Sequence, residues 1–281
     1  MADTESIIEL GPWLQTPPGR YLLAWEQARF DEAVVDAFGF HALQLGLPDI
    51  DTLRANRMPH RWLAGNIPGS APTLEQGKDP ASTAIALLCD FDALPFPNNS
   101  LDLVVLPHAL ELALDPHRSL REVERVLMPE GRVLITGFNP ASLWGLRQRA
   151  GRARQGLGID REAALYLPRA GDFIGYWRLR DWLRLLGFEL EGGRFGGYRP
   201  PFHTQAWLDR LGWMEAAGER WWPVLGAVYF LAAVKRVRGM RLVGMARREA
   251  RHAHAAPAVV AQSRPAQRAA EPQREAAESV R

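Results

Sequence analysis

The amino-acid sequence predicts an α/β fold in which a mostly parallel sheet is covered by helices on both faces. Short apolar runs alternate with helical stretches, which is the pattern of strands joined by crossover helices. The runs at 83–89 and 101–106 are nearly continuous in apolar residues, with Asp102 as the exception, as expected for strands buried on both faces. The 281 residues, 47% of them hydrophobic, are enough to bury such a core.

The first half of the chain supplies the entry helix and most of the strands. Residues 1–18 contain several Pro and Gly residues and are predicted to be a loose lead-in. An amphipathic helix is predicted within 21–38, because apolar residues recur there at helical spacing: Leu23, Phe30, Val34 and Phe38. Strands are then predicted at a series of short apolar runs: 41–46, 60–65, 82–90, 100–107 and 131–138.

Two further helices are predicted between these strands. Asp115 is placed as an N-cap, Pro116 occupies the first helical position, and this helix should end just before Pro129. Its apolar face is formed by four residues: Leu120, Val123, Val126 and Leu127. A shorter helix is predicted at 50–57, with Asp49 as its cap.

The second half of the chain is less regular. Residues 141–168 contain five arginines and are predicted to form a mobile helical connection. A helix broken at Gly187 and a strand are predicted within 178–197, and a final strand at 226–237. From 249 onward there is almost no large apolar residue, so this tail is predicted to be disordered.

Composition narrows the class of protein. The net charge of +2 and the pI near 8.9 are only mildly basic, well below the balance typical of proteins that bind phosphate backbones. The single cysteine, Cys89, excludes an internal disulfide and an all-cysteine metal site. The first residues lack the pattern of a secretory signal, and the longest apolar run, 223–234, is shorter than the roughly 20 residues of a membrane-spanning helix. We therefore expect a cytoplasmic protein and a buried strand at 223–234.

Residues 89–138 contain an ordered series of motifs. An acidic residue after the third strand is followed by Leu-Pro-Phe, by Asn-Ser-Leu-Asp at the fourth strand, and by His-Ala-Leu-Glu. An Asp-Pro helix containing Arg-Glu-x-x-Arg-Val-Leu-x-Pro-x-Gly leads to the fifth strand. This segment resembles the type-11 group of class I S-adenosylmethionine-dependent methyltransferases. The matching positions are Asp90, Leu94, Pro95, Phe96, Ser100, Asp102, His108, Glu111, Asp115, Pro116, Arg121, Glu122, Arg125, Val126, Leu127, Pro129 and Gly131.

The resemblance implies a Rossmann-like class I methyltransferase fold, with a seven-stranded sheet whose last strand is antiparallel, and S-adenosylmethionine as cofactor. Weaker agreement extends it over 19–237, so we expect a lead-in at 1–18, a domain at 19–237 and a basic, then disordered, tail at 238–281. A Trp-rich insertion is placed at 198–222. The stretches GFHALQLG and GFNPASLWGLR are similar to a small proteobacterial subfamily of predicted methyltransferases, for which no substrate follows.

The predicted strands would bring Gly46, Asp90 and the Pro107–His108 corner to one edge of the sheet, where open parallel sheets bind ligands. The resemblance implies that the Asp90 carboxylate accepts a hydrogen bond from the adenine amino group and that the Phe91 amide binds a ring nitrogen. The alternative is that Asp90 only caps a turn.

Two positions depart from the family pattern. Of its Gly-x-Gly-x-Gly loop only Gly46 remains, and the next residues carry a side chain or a proline ring: Leu47 and Pro48. Asp49 follows, and its charge could pair with the cofactor's ammonium or sulfonium. Asn66 stands where the family places the acidic residue that binds the ribose hydroxyls.

Methyl transfer is a direct displacement, so a general base is needed only when the acceptor must lose a proton. His108 is the candidate base, and a structural hydrogen bond beneath the cofactor is the alternative. Cys89 is placed within a strand and is interpreted as a core residue rather than a nucleophile. Histidine spacing gives no metal site.

Two surface features bear on the methyl acceptor without identifying it. Tryptophans of the insertion could form a lid over the acceptor or simply pack an irregular region: Trp207, Trp213, Trp221 and Trp222. Basic clusters could attract an acidic acceptor, RNA or an anionic membrane, or be solvated surface: Arg147, Arg149, Arg152 and Arg154, then Lys235, Arg236, Arg238 and Arg241. The function predicted is methyl transfer to an unidentified acceptor. The alternatives are a catalytically inactive scaffold with a degenerate glycine loop and, third, an RNA-binding protein.

Overall fold

The computed structural model describes residues 10–66, 85–156, 166–168 and 173–236. Its centre is a sheet of seven strands in the described chain: β1 (His41–Leu45), β2 (His60–Asn66), β3 (Leu87–Cys89), β4 (Leu101–Pro107), β5 (Leu127–Phe138), β6 (Phe188–Gly196) and β7 (Val228–Lys235). The strand order is β3-β2-β1-β4-β5-β7-β6. The first five strands pair in parallel, and β7 pairs antiparallel to both β5 and β6. The predicted fold class is confirmed.

Helices cover both faces of the sheet. They are α1 (Pro17–Val35), α2 (Ala109–Leu112), α3 (Pro116–Val126), α4 (Leu143–Gly156), α5 (Tyr176–Leu185), α6 (Gln205–Arg210) and α7 (Trp213–Trp221). One apolar core lies between the sheet and α3 with α5, and a second lies between the sheet and α1 with the start of α4. This explains why β4 is buried along nearly its whole length.

The entry helix begins where proline fixes its first turn. Thr16 caps α1, and Pro17 occupies the first helical position. The helix ends at Val35, so Phe38 lies beyond it and is 80% exposed, contrary to the expected apolar face. The lead-in is also more ordered than expected, because 10–14 is helical and Leu10 and Leu14 are buried in the second core.

The predicted cap of α3 is confirmed. The Asp115 carboxylate accepts hydrogen bonds from the amides of His117 at 2.9 Å and Arg118 at 3.2 Å, which are otherwise unpaired at a helix start. The apolar face is buried as predicted. The helix ends at Val126, and β5 begins at the next residue.

The helix predicted at 50–57 is wrong, since this segment forms turns. Two buried amide side chains hold it in place, Gln44 from β1 and Asn56 within the segment. Gln44 binds the Ile50 carbonyl and the Thr52 amide, and Asn56 ties the end of the segment to the Val34 and Ala37 carbonyls. The Ile50 carbonyl and the Thr52 amide are thus paired by a side chain without a helical turn.

The later elements follow the predicted order. Gly187, with φ +86°, follows α5 and ends the helical stretch, as predicted. The apolar run at 223–234 includes most of β7. The connection expected to be mobile contains the helix α4. The predicted tail at 238–281 lies outside the described residues, and the domain boundaries stay predictions. Among the described residues, no helix has the length and apolar character needed to cross a membrane.

Replacing the α3 cap with alanine, Asp115→Ala, should lower the free energy of unfolding by about 1 kcal/mol, because two helix-start amides lose their acceptor. Asp115→Asn keeps an acceptor and should stay within a few tenths of a kcal/mol of the wild type. Urea denaturation measures both differences. Equal stability of Asp115→Ala and the wild type would contradict the assignment.

Candidate functional site

The carboxyl ends of four neighbouring strands meet at one edge of the sheet. The pairing of β1 with β2 and β4, and of β2 with β3, aligns these ends. The residues that end or follow the strands lie along this edge: Gly46, Asn66, Asp90 and Pro107. The chain order reverses between β1 and β4, and open α/β sheets bind ligands at such a reversal.

After β3, Asp90 presents a carboxylate and Phe91 presents a backbone amide. Asp90 is exposed, and its Oδ1 accepts a hydrogen bond from the Asp92 amide at 2.9 Å. The carboxylate therefore does cap a turn, as the alternative interpretation held. Its second oxygen, Oδ2, and the Phe91 amide have no hydrogen-bond partner among the described residues. One acceptor and one donor are thus left side by side.

Gly46 is required by its backbone conformation. Its φ is +76°, and its amide donates to the Ala64 carbonyl at 2.8 Å. A Cβ added here would lie 3.6 Å from the Phe91 ring and 3.7 Å from the Ala109 Cβ, which are ordinary contacts. The left-handed backbone, rather than lack of space, therefore favours glycine at this position.

A buried glutamine in β1 shapes the loop that follows the strand. The Gln44 amide donates to the Leu47 carbonyl at 2.9 Å and the Ile50 carbonyl at 2.8 Å, with a longer contact of 3.3 Å to the Gly46 carbonyl. Its carbonyl oxygen accepts from the amide and the hydroxyl of Thr52. The loop is therefore held in one conformation by the protein itself, through a residue that the sequence interpretation missed.

The residues that replace the family's glycines do not share one location. Leu47 has φ +37°, and its buried side chain belongs to the core beneath α1. Pro48 and Asp49 are exposed, and Asp49 caps no helix because none follows. The backbone of Asn66 pairs with Cys89 at the end of β2, and its side chain lies outside the described part of the structure.

His108 is held between two carboxylates. Its Nδ1 lies 2.8 Å from Glu111 Oε2, and its Nε2 lies 2.8 Å from Glu26 Oε1 on α1. All three side chains are buried, with His108 and Glu26 only 1% exposed. The other Glu111 oxygen, Oε1, accepts from the Phe138 amide at 2.6 Å. The network therefore joins α1, the end of β4 and the end of β5.

The charge of this network follows from its geometry. Burial by itself lowers the pKa of His108, but the neighbouring Glu26 and Glu111 carboxylates outweigh it and raise the pKa to about 10. An imidazolium with both N–H groups donating has no lone pair for accepting a proton. The contacts of His108 thus favour the structural alternative and give no support to its predicted role as a general base.

Other side chains considered in the sequence analysis also make structural contacts. Burial, then the neighbouring Asp90 carboxylate, raises the pKa of the Cys89 thiol to about 11, which fits a core residue. In the second basic cluster, Lys235 pairs with Glu124, and Arg236 pairs with Glu130 and Glu189. Arg238 and Arg241 lie outside the described residues. The four tryptophans named in the insertion are exposed. Among the described residues, no group of three His, Cys, Asp or Glu side chains is arranged so that it could hold a metal ion.

Sequence comparisons show which proteins the chain resembles. A family model described as a methyltransferase domain matches residues 67–135. An uncharacterised Escherichia coli (strain K12) protein, YafS, is 28% identical over 234 residues, which is 83% of each chain. A ubiquinone/menaquinone biosynthesis C-methyltransferase, UbiE, from Stenotrophomonas maltophilia is 31% identical over 128 residues, 43% of this chain and 47% of that protein.

A malonyl-[acyl-carrier protein] O-methyltransferase from Halorhodospira halophila is 45% identical over 58 residues, so the match spans only 20% of that enzyme. Among solved structures, a chain from the complex between the Haloferax volcanii Trm112 methyltransferase activator and a putative methyltransferase superposes with a TM-score of 0.52 at 18% identity. That superposition covers 83% of this chain and 99% of the other. The family resemblance found at 89–138 is confirmed, and the structural neighbour supports the fold.

Gln44→Leu should destabilise the protein by at least about 3 kcal/mol, because the loop loses its donors and acceptor while these groups remain buried. Leu43→Met, on the same strand, conserves volume and should cost less than about 1.5 kcal/mol. Chemical denaturation and hydrogen exchange of amides 46–52 measure the effect. An unchanged exchange rate in Gln44→Leu would show that the glutamine does not hold the loop.

His108→Gln should cost about 3–5 kcal/mol near pH 6, where a buried ion-pair network loses its cation. The folded-state pKa of about 10 lies above the ordinary value of 6.5, so this contribution is complete below pH 6.5 and declines as the pH rises through 10. The difference from the wild type should shrink accordingly. The exposed His60, changed to Gln, should cost far less at every pH, and a pH-independent His108→Gln penalty would refute the imidazolium.

Proposed function

We propose that this chain, which contains a methyltransferase domain of the type-11 group, binds S-adenosylmethionine at the carboxyl edge of its sheet and transfers the methyl group to an acceptor. The observation that carries the proposal is an acceptor and a donor after β3, Asp90 Oδ2 and the Phe91 amide, neither of which has a partner within the described part of the chain. One edge of adenine has a donating amino group beside an accepting ring nitrogen, so it matches this pair.

The loop after β1 supports the same site. Gly46 lies next to the Phe91 ring and α2, on the β1 side of the strand-order reversal. Leu47 packs into the core, so its side chain is directed away from solvent. Because Gln44 fixes the loop before any ligand arrives, binding loses little conformational entropy there.

When bound, S-adenosylmethionine supplies a methyl group on a positively charged sulfonium. The contribution of this chain is to hold the nucleoside at Asp90 and Phe91 and to keep the edge rigid through the Glu26–His108–Glu111 network. Buried aromatic rings at the edge, such as Phe138 beside His108, exclude water. Positioning of this kind accounts for much of the rate of a direct displacement. No proton transfer is assigned to His108.

A second candidate function is a scaffold that retains the fold without the cofactor. The observation that favours it is the φ of +37° at Leu47, a left-handed conformation that costs a leucine about 1–2 kcal/mol and that glycine would relieve. A loop of this kind could persist after cofactor binding was lost. The scaffold predicts a folded protein that takes up neither the methyl donor nor its demethylated product.

Titration calorimetry with S-adenosylhomocysteine should detect binding to the full chain. Asp90→Asn retains an oxygen for the Asp92 amide, so the turn persists, but it replaces the second carboxylate oxygen with a donor. We expect affinity to fall about 10- to 100-fold, the range for losing a hydrogen bond to a charged group.

Asp181→Asn, an exposed carboxylate on α5, is the matched control and should leave affinity unchanged. No heat and no thermal shift with the wild-type protein at millimolar S-adenosylhomocysteine would reject the enzyme and favour the scaffold. Equal affinity of Asp90→Asn and wild type would reject the assigned adenine contact alone.

A further inference from the structure

An exposed apolar surface lies where α4 meets the region between β6 and β7. We define this docking face by six side chains that are about 40% exposed or more: Leu143, Leu146, Phe202, Trp207, Trp222 and Val224. Leu146 is 61% exposed and Trp222 is 53% exposed, although both are large apolar residues. Side chains of this size are exposed singly on many proteins, but a group of them marks an interaction site.

Hydrogen bonds hold the two parts of the docking face together. Asn139, just before α4, donates to the Val224 carbonyl at 2.8 Å and to the Gly226 carbonyl at 2.9 Å. The buried Trp144 indole donates to the Arg199 carbonyl at 2.6 Å. The Phe202 and Trp207 rings stack with centroids 5.7 Å apart. The face is therefore formed by fixed elements.

The helix that carries Leu143 and Leu146 is strongly basic. From 143 to 156, α4 contains four arginines and no acidic residue: Arg147, Arg149, Arg152 and Arg154. None of the four forms an ion pair with the described residues. Trp144, Gln148 and Arg152 follow one another at four-residue spacing on one side of α4, where Trp144 and Gln148 are buried and Arg152 lies over the Phe173 ring. The other three arginines lie on the exposed side together with the two leucines.

We propose that the docking face binds the surface of an anionic lipid bilayer. The arginines complement lipid phosphates, and tryptophan is suited to the boundary between headgroups and acyl chains. Single-stranded RNA would also attract arginines and stack on aromatic rings. Leu143, Leu146 and Val224 distinguish the two, because aliphatic side chains do not stack on bases but gain free energy when they enter an apolar medium.

The docking face adjoins the carboxyl edge of the sheet. Asn139 directly follows Phe138, whose ring centroid lies 4.4 Å from that of His108. A bilayer bound here would therefore lie beside the edge assigned to the cofactor. Docking itself requires no methyl transfer, so it can succeed or fail independently of the proposed function.

Cosedimentation of the full chain with vesicles tests the proposal. We expect binding to vesicles of 70% phosphatidylcholine and 30% phosphatidylglycerol (about one anionic lipid in three), weak binding to pure phosphatidylcholine, and weaker binding as salt rises. The double variant Leu143→Ser with Leu146→Ser should reduce binding about tenfold or more. Arg149→Gln with Arg154→Gln should reduce it about fivefold or more, on the scale expected for two surface arginines.

Two exposed residues on other elements serve as matched controls, Leu185→Ser on the end of α5 and Arg118→Gln on α3, and neither should change binding more than about twofold. Circular dichroism checks that each variant is folded. No binding to the anionic vesicles, or equal binding by the leucine variant and wild type, would overturn the proposal. Tighter binding to a single-stranded RNA, lost in the arginine variant but kept in the leucine variant, would assign the face to nucleic acid instead.

Discussion

The buried cation His108, held between Glu26 and Glu111, is the interaction on which the arrangement of the carboxyl edge depends. Placing one cation and two carboxylates inside a protein is costly, and it is stable only when each charge has a close partner. The two carboxylates belong to different elements, α1 and α2, and Glu111 also binds the end of β5 through the Phe138 amide. Removing His108 would leave two buried carboxylates without their cation, and removing either glutamate would leave one ring N–H without an acceptor. The three elements therefore hold one another in place.

The loop after β1 is built on the same principle with a neutral side chain. Gln44 satisfies backbone groups of 46–52 that have no strand or helix partner, and it does so from inside the sheet. A glycine-rich loop would reach its final form mainly in contact with a ligand. Here the form is set in advance by a buried amide, at the expense of a left-handed leucine. The absence of the loop glycines and the presence of the Gln44 contacts therefore belong to the same local structure.

The edge and the docking face differ in how they use charge. At the edge, His108, Glu26 and Glu111 are paired and buried, and the two carboxylates raise the pKa of His108 to about 10. On α4 the four arginines have no carboxylate partner among the described residues, and three of them lie on the side of the helix that exposes the leucines: Arg147, Arg149 and Arg154. Rigid, paired groups suit a site that must position a small molecule. Arginines without a carboxylate partner, beside apolar side chains, suit the surface of a bilayer, which has anionic headgroups above an apolar interior.

The sequence by itself determined the fold class, the strands, and the start of α3. These features depend on local information: apolar periodicity, a capping aspartate followed by proline, and the ordered motifs at 89–138. The sequence also identified Asp90, Phe91, Gly46 and Pro107 as neighbours, because parallel strands place their carboxyl ends at the same edge.

Only the tertiary structure decided which polar residues hold that edge. Glu26 lies 82 positions before His108, and its place on the apolar face of α1 gives no local signal of its partner. Gln44 occupies a strand position where a buried apolar residue would be expected. Its hydrogen-bond partners lie in the loop after β1, part of which the sequence predicts as a helix. Long-range pairing fixes both, since a buried polar group takes whichever partner the folded chain brings within about 3 Å.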